Sequence, residues 1–153
     1  MSAKSAANVR PLKPEDLERV VDIDTRITGR SRRKFFEKRL EAALEDTHGF
    51  VALALDGASE LDGYAIARIQ SGEYGVDERS AVLDVIGIDP DAQHDGGGQA
   101  LIDGIVGILR KLEIGELRTQ VDWSDHAIAA FFAHEGFELS AEQVLERPVG
   151  RDV

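Results

Sequence analysis

The chain has 153 residues, of which 42% are hydrophobic and 31% charged, with no cysteine and a net charge of −11. This size and composition predict one soluble, cytoplasmic domain over residues 1–153 with a flexible tail at 1–7, because no apolar run approaches the roughly 20 residues of a membrane span and no secretory signal is recognised. The missing cysteines exclude disulfides and thiolate metal sites, the four histidines lack metal-ligand spacing, and the acidic body argues against nucleic acid as a partner.

The first 70 residues predict a strand, two helices and two further strands. Pro14 suits the first turn of a helix that ends at Gly29, and Ser31 can cap the next helix. The turn dipeptides Asp56-Gly57 and Asp62-Gly63 then connect two apolar stretches. The predicted strands are residues 9–12, 49–55 and 64–70.

A basic cluster, defined as residues 30–34 (Arg-Ser-Arg-Arg-Lys), joins the two predicted helices. Residues 1–40 carry 11 Lys and Arg against 6 Asp and Glu, whereas the remaining residues carry 7 against 23. Positive charge at a helix N-terminus opposes the helix dipole, so the cluster is unexpected there. Two interpretations stay open: a site for an anionic group of an acceptor or partner, or a solvated surface that pairs with the acidic body.

The second half predicts strands that alternate with helices. A polar loop at residues 71–80 contains Glu73 and Tyr74, and residues 81–89 are nearly all apolar, as in a central strand covered on both faces. Ser124 can cap a later helix. The predicted strands are residues 81–89, 117–123, 137–139 and 144–147, and the predicted helices are 99–112 and 125–135.

A glycine loop, defined as residues 93–98 (Gln-His-Asp-Gly-Gly-Gly), lies between strand 81–89 and helix 99–112. Asp89-Pro90 ends the strand, because proline lacks the N–H that a central ladder needs. Free N–H groups and the positive end of the dipole make a helix N-terminus an anion site. Glycines also let a phosphate approach the main chain without a Cβ in the way.

Two common phosphate loops do not fit the glycine loop. A P-loop needs Lys and Ser or Thr where Gln99-Ala100 stand, and a dinucleotide fingerprint needs spaced glycines after a first strand. The pattern Gln93-x-x-Gly96-x-Gly98 resembles instead motif A of the GNAT family of N-acetyltransferases, which holds the pyrophosphate of acetyl-CoA.

Two further features are similar to this family. Residues 125–137 (Asp-His-Ala-Ile-Ala-Ala-Phe-Phe-Ala-His-Glu-Gly-Phe) resemble its second signature, Asn-x-x-Ala-x-x-Leu-Tyr-x-x-x-Gly-Phe. The predicted order β-α-α-β-β-β-α-β-α-β-β also matches. The resemblance covers residues 9–147 and implies the α+β GNAT fold, a twisted mixed sheet of six to seven strands flanked by about four helices.

The resemblance implies acetyl-CoA as cosubstrate, without a metal. The main chain around Gly87, with a bulge there, would pair with the pantetheine arm, and one of its N–H groups would stabilise the developing charge on the thioester carbonyl. His94 and Asp95 replace basic residues common in the family and predict weaker CoA binding. The implied cofactor-binding residues are Ile86, Gly87, Ile88, Gln93, His94, Asp95, Gly96, Gly97, Gly98, Gln99, Asp125 and Phe132.

The implied reaction is direct transfer of an acetyl group to a primary amine. Asp84, a lone carboxylate in an apolar strand, is the first candidate for the general base. The alternatives for Asp84 are an ion pair with an arginine of a neighbouring strand, such as Arg118, or exposure at an opening in the sheet. Glu73 and Tyr74 are second candidates. His134, Ser124 or a water could replace the tyrosine acid of the family, whose position is occupied by Phe132.

No motif specifies the acceptor, which could be a small-molecule or peptide amine: a protein N-terminus, a lysine, a polyamine, an aminoglycoside or an amino acid. The acidic body favours cationic small molecules, and the basic cluster favours the opposite. The resemblance also allows a homodimer. Because Phe132 and Asp95 depart from the family pattern, a catalytically weak or inactive CoA-binding module is the alternative function.

Overall fold

The computed structural model describes residues 8–71, 78–93, 96–122 and 124–150. The chain divides into two compact units, Met1–Gln120 and Val121–Val153. No helix in the described ranges is long and apolar enough to cross a membrane. The described elements of the first unit are β1 (Val9–Pro11), α1 (Leu17–Thr28), α2 (Arg33–Glu45), β2 (Phe50–Asp56), β3 (Leu61–Ser71), β4 (Arg79–Ile88), α3 (Gly97–Lys111) and β5 (Leu117–Arg118), and the second unit contains α4 (His126–His134).

The five strands form one mixed sheet in the order β1-β2-β3-β4-β5. Neighbouring strands are antiparallel except β4 and β5, which run parallel, with Ala81 facing Leu117 and Val82 facing Arg118. The predicted α+β class and mixed sheet are therefore confirmed, although the described part of the chain contains five strands instead of six to seven.

The strands predicted at residues 137–139 and 144–147 do not form, and β5 ends at Arg118 instead of reaching residue 123. Leu139, Val144 and Leu145 are exposed. A strand needs a partner for its N–H and C=O groups, and the second unit contains no strand in its described residues. The apolar pattern of residues 137–147 therefore reflects a preference for strand, but no strand forms because no partner strand is present among the described residues of this unit.

Helices α1 and α2 cover one face of the sheet, where they form a core with Ala54, Tyr64 and Ile66 of β2 and β3. Successive side chains of a strand alternate between the two faces, so Leu55 lies on the opposite face. Helix α3 packs there so closely that a Cβ on Gly97 would lie 2.4 Å from Leu55 Cδ2. The glycine at position 97 thus allows the close approach of the helix to the sheet.

Strand β4 contains a bulge at Asp84 and not at Gly87, where the family resemblance placed it. The register of β3 against β4 shifts between Ile66 and Ala67, which leaves Asp84 as the extra residue. Gly87 pairs regularly with Tyr64, and a Cβ at Gly87 would lie 2.5 Å from the Tyr64 hydroxyl oxygen. The missing side chain at position 87 therefore makes room for a buried tyrosine.

Candidate active site

The glycine loop leads into α3, which begins two residues earlier than predicted. Gly96 is the N-cap residue, with φ of 76°, a left-handed conformation that glycine adopts without strain. The first N–H groups of a helix have no acceptor within it, and Ala100 donates to Gly96 O at 3.1 Å. The N–H groups of Gly97, Gly98 and Gln99 precede this bond and can bind an anion at the positive end of the helix dipole.

A hydrogen bond one residue beyond β4 shows to which edge the backbone N–H and C=O groups of the strand point. Asp89 N donates to Asp62 O at 2.7 Å, on the side of β3. In a strand the N–H and C=O of one residue point to the same edge, and consecutive residues alternate. The N–H and C=O groups of Gly87 therefore also point towards β3, whereas those of Ile86 and Ile88 point away from it.

Strand β5 covers only the first part of this second edge of β4. Thr119 Oγ1 donates to Leu83 O at 3.1 Å, just beyond the last paired residues. From Ile86 onward, no strand among the described residues of the first unit pairs with this edge. Gln93 Nε2 of the glycine loop donates to Ile88 O at 3.4 Å, which connects the loop to the end of β4.

The candidate base Asp84 is ion-paired. Arg68 of β3 donates from Nε to both carboxylate oxygens, at 2.8 and 3.1 Å, and Arg39 Nη1 of α2 lies 3.3 Å from Asp84 Oδ2. The Asp84 side chain is 13% exposed. The ion-pair alternative is thus present in the structure, with Arg68 as the partner on the neighbouring strand, whereas Arg118 donates to Glu116.

Asp89, a buried carboxylate at the end of β4, is a site residue that no sequence pattern predicted. Asp89 accepts hydrogen bonds from Arg19 Nη2 at 2.5 Å, from Arg26 Nη1 at 2.8 Å and from Asp91 N at 2.9 Å. The pKa of Asp89 is lowered, chiefly by the bond from Asp91 and further by the two arginines, although desolvation opposes them. Arg19 and Arg26 lie seven residues apart on one face of α1, a spacing that could have indicated a shared partner.

Two arginines of the basic cluster pair with acidic side chains of the first unit. Arg32 donates to buried Asp24 from Nε at 3.0 Å and Nη2 at 2.6 Å, and Arg33 donates to Glu18 at 2.8 and 2.6 Å. Burial and the charge of Asp24 raise the pKa of Tyr64, which keeps its hydroxyl protonated. Arg32 and Arg33 therefore pair with acidic residues of the neighbouring α1, whereas the predicted pairing was with the acidic body after residue 40.

In the second unit, Asp125 is the N-cap residue of α4. Its Oδ1 accepts a hydrogen bond from Ile128 N at 3.2 Å. Ser124, the predicted cap, donates instead from Oγ to Asp122 Oδ1 at 2.6 Å. The prediction for Ser124 is wrong because the helix begins one residue later than the pattern indicated.

Phe132 and His134 lie on α4 in different environments. Phe132 is buried and packs edge-on against Phe131 and Phe137, with ring centres 5.2 and 5.0 Å apart. The His134 side chain is 80% exposed, and its Nδ1 lies 3.2 Å from Glu135 Oε2. A phenylalanine cannot donate a proton, whereas an exposed histidine can exchange protons with solvent.

Four predicted site residues, Glu73, Tyr74, His94 and Asp95, lie outside the described residues. Within the described ranges, no group of three or more His, Asp or Glu side chains could hold a metal ion.

A family model described as the acetyltransferase (GNAT) family matches residues 17–137. None of the curated proteins matches the chain. Among solved structures, the chain is similar to the aminoglycoside antibiotic 6'-N-acetyltransferase AAC(6')-Ig from Acinetobacter haemolyticus, with a TM-score of 0.78 and 15% identity over 95% of this chain and 99% of that chain.

Two further solved structures have the same fold. One is AAC(6')-Iy in complex with the bisubstrate analogue CoA-S-monomethyl-acetylneamine, with a TM-score of 0.77 and 15% identity over 92% of this chain and 96% of that chain. The other is an integron cassette protein from the mobile metagenome of Cole Harbour Salt Marsh, with a TM-score of 0.77 and 18% identity over 97% and 94% of the two chains.

Proposed function

The chain belongs to the GNAT family of acetyltransferases, and we propose that it transfers an acetyl group from acetyl-CoA to a primary amine by direct attack on the thioester. The observation that carries this proposal is the edge of β4 at Ile86, which lies close in the chain to the N–H groups at the start of α3. An unpaired strand edge suits an extended, amide-containing arm, and a helix N-terminus suits a pyrophosphate.

The proposal assigns cosubstrate binding mainly to the main chain. Ile86 and Ile88 pair with the pantetheine arm, and Gly97, Gly98 and Gln99 donate to the pyrophosphate. Bound acetyl-CoA supplies the thioester that the amine attacks. Because the N–H of Ile86 points away from β3, it is our candidate for the donor that stabilises negative charge on the thioester oxygen. The CoA-containing ligand of AAC(6')-Iy is consistent with this cosubstrate.

Proton transfer from the amine is the step that most needs a side chain. An amine with a pKa of about 10.4 requires roughly 4.6 kcal/mol to lose its proton at pH 7, whereas protonating a thiolate with a thiol pKa of about 8.5 recovers only about 2 kcal/mol. A base therefore contributes more than an acid. Asp84 is our first candidate because it lies on β4 two residues before Ile86, and Glu73 is the second.

The second proton transfer is to the leaving thiolate, and the usual donor of the family is absent from this chain. Phe132 stands where the family has its tyrosine and cannot donate a proton, so the thiolate leaves unaided or is protonated by water or by His134. The exposure of His134 is compatible with proton exchange. The buried position of Phe132 also favours the second candidate function, a CoA-binding module without transfer activity.

Calorimetry with acetyl-CoA and a thiol-release assay over a panel of primary amines test the proposal together. Binding with amine-dependent thiol release is the expected result. Binding without thiol release for any amine would support the CoA-binding module, and no binding would contradict both functions.

A matched pair of substitutions at Gln99 tests the N–H groups of α3. Gln99→Pro and Gln99→Ala both remove the side chain, but only proline removes the N–H, and the first helical turn tolerates proline. A hydrogen bond to a charged group contributes about 1.5–3 kcal/mol, so acetyl-CoA should bind about tenfold or more weakly to the proline variant than to the alanine variant. Equal affinities, with helix content preserved by circular dichroism, would place the pyrophosphate elsewhere.

A further inference from the structure

Arg39 of α2 lies beside the candidate base on β4. Its Nη1 is 3.3 Å from Asp84 Oδ2. Its guanidinium carbon lies 5.3 Å from the centre of the Phe35 ring, within the range of a cation–π contact. An aromatic ring and a carboxylate therefore hold this cation in place.

Arg39 contacts Asp84 through one ion pair, and most of its N–H donors have no partner within the described part of the chain. Both oxygens of Asp84 accept from Arg68, and Arg39 donates no hydrogen bond to a described residue. A guanidinium has five N–H donors, and 29% of the Arg39 side chain is exposed. By contrast, seven arginines of the first unit each donate to at least one carboxylate: Arg10, Arg19, Arg26, Arg32, Arg33, Arg68 and Arg118.

A partly exposed guanidinium with available N–H donors selects ligands by charge and shape. Its planar donors match a carboxylate through two parallel hydrogen bonds, and it repels a cation at contact distance. The net charge of −11 attracts cations only at long range, and salt screens that effect beyond about 8 Å. Two arginines, Arg39 and Arg68, contact the single carboxylate of Asp84, so the local charge favours an anionic group there.

We propose that Arg39 binds a carboxylate of the acceptor, and that the acceptor is an amine that also carries a carboxylate, such as an amino acid. The inference rests on the proposed function, because it concerns the acceptor side of the same transfer. The contact between Arg39 and Asp84 brings the amine of such an acceptor near the candidate base. Arg39 and Arg68 together offset the repulsion between Asp84 and the second carboxylate.

Thiol release from acetyl-CoA should be compared for the standard amino acids, their carboxamides, and the cations spermidine and kanamycin. We expect the best amino acid to exceed its carboxamide about tenfold or more in kcat/KM, because the carboxamide cannot form the charged pair, and to exceed both cations. In Arg39→Gln this preference should fall to about one, through a raised KM for the acid. Arg39→Lys, which keeps the charge but not the planar donors, should retain part of it.

Lys38→Gln is the matched control, because it removes the same charge from an exposed neighbouring position of α2 and should keep the full preference. Equal losses for acid and carboxamide in Arg39→Gln would assign Arg39 a structural role and overturn the inference. A carboxamide as good as its acid, or a better cationic acceptor, would overturn it while leaving acetyl transfer intact. If another amine releases thiol from acetyl-CoA but no amino acid does, the inference fails alone. If acetyl-CoA does not bind, the proposed function fails first.

Discussion

Two neighbouring stretches of β4 offer different chemistry to a ligand. From Ile86 onward the available groups belong to the main chain, and the start of α3 continues them with further N–H groups. At the bulge the groups are charged side chains, Asp84 with Arg39 and Arg68. The main-chain groups are positioned by β4 and α3 themselves. The cluster of charged side chains depends instead on the packing of α2, β3 and β4 against one another. The first region should therefore tolerate side-chain changes that the second does not.

The largest expected effect is on the side-chain region. If Asp84 is the base, Asp84→Asn should lower kcat about 10²–10³-fold, since general bases contribute roughly 10²–10⁴-fold, and should leave the affinity for acetyl-CoA unchanged. Steady-state thiol release and calorimetry measure the two quantities. Asp103→Asn, the same change at an exposed position of α3, is the control and should have no effect. Full activity of Asp84→Asn would reduce Asp84 to an ion-pair partner.

The next effect concerns the contact that fixes the end of β4 to α1. Asp89→Ala removes a buried carboxylate and leaves Arg19 and Arg26 without it, so the free energy of unfolding in urea should fall by about 2–3 kcal/mol. Acetyl-CoA should also bind less tightly. The control Asp91→Ala removes an exposed ion pair with Arg26, and the free energy of unfolding should fall by less than about 1 kcal/mol.

The effect of Asp89 should depend on pH. Because the pKa of Asp89 is lower in the folded protein than in the unfolded chain, its contribution is complete above the unfolded pKa of about 3.9 and is lost as the pH falls through the folded pKa. The difference in unfolding free energy between the wild type and Asp89→Ala should therefore narrow in acid. A constant difference down to pH 2 would contradict the assigned ion pairs.

The smallest expected effect concerns Gly87. It tests whether the backbone of β4 at this position depends on its packing against the Tyr64 side chain of β3. Gly87→Ala places a Cβ 2.5 Å from the hydroxyl oxygen of buried Tyr64 and should destabilise the protein by about 1–3 kcal/mol. Gly107→Ala, in α3 with no atom within 4 Å of the new Cβ, should stabilise it by about 0.5–1 kcal/mol. Thermal unfolding measures both. Similar shifts for the two variants would contradict the close packing at Gly87.

Several predicted features failed because they depended on partners outside their own segment. Residues 137–139 and 144–147 have a strand-like pattern, yet no strand pairs with them among the described residues of the second unit. The bulge of β4 lies at Asp84 because the register with β3 shifts there, which no residue of β4 alone indicates. The glycine at 87 was interpreted as a bulge, whereas the tyrosine opposite it explains its missing side chain.

The sequence by itself determined the mixed α+β class, the family and the order of the elements up to α4. These signals are local: apolar periodicity, helix-ending glycines and the Gln93-x-x-Gly96-x-Gly98 pattern each act over a few residues. Only the tertiary structure decided which charged side chains meet. Asp89 pairs with arginines 70 and 63 residues earlier, and Asp84 pairs with an arginine 16 residues earlier. An ion pair needs two groups a few ångströms apart in space, and no local pattern encodes that distance.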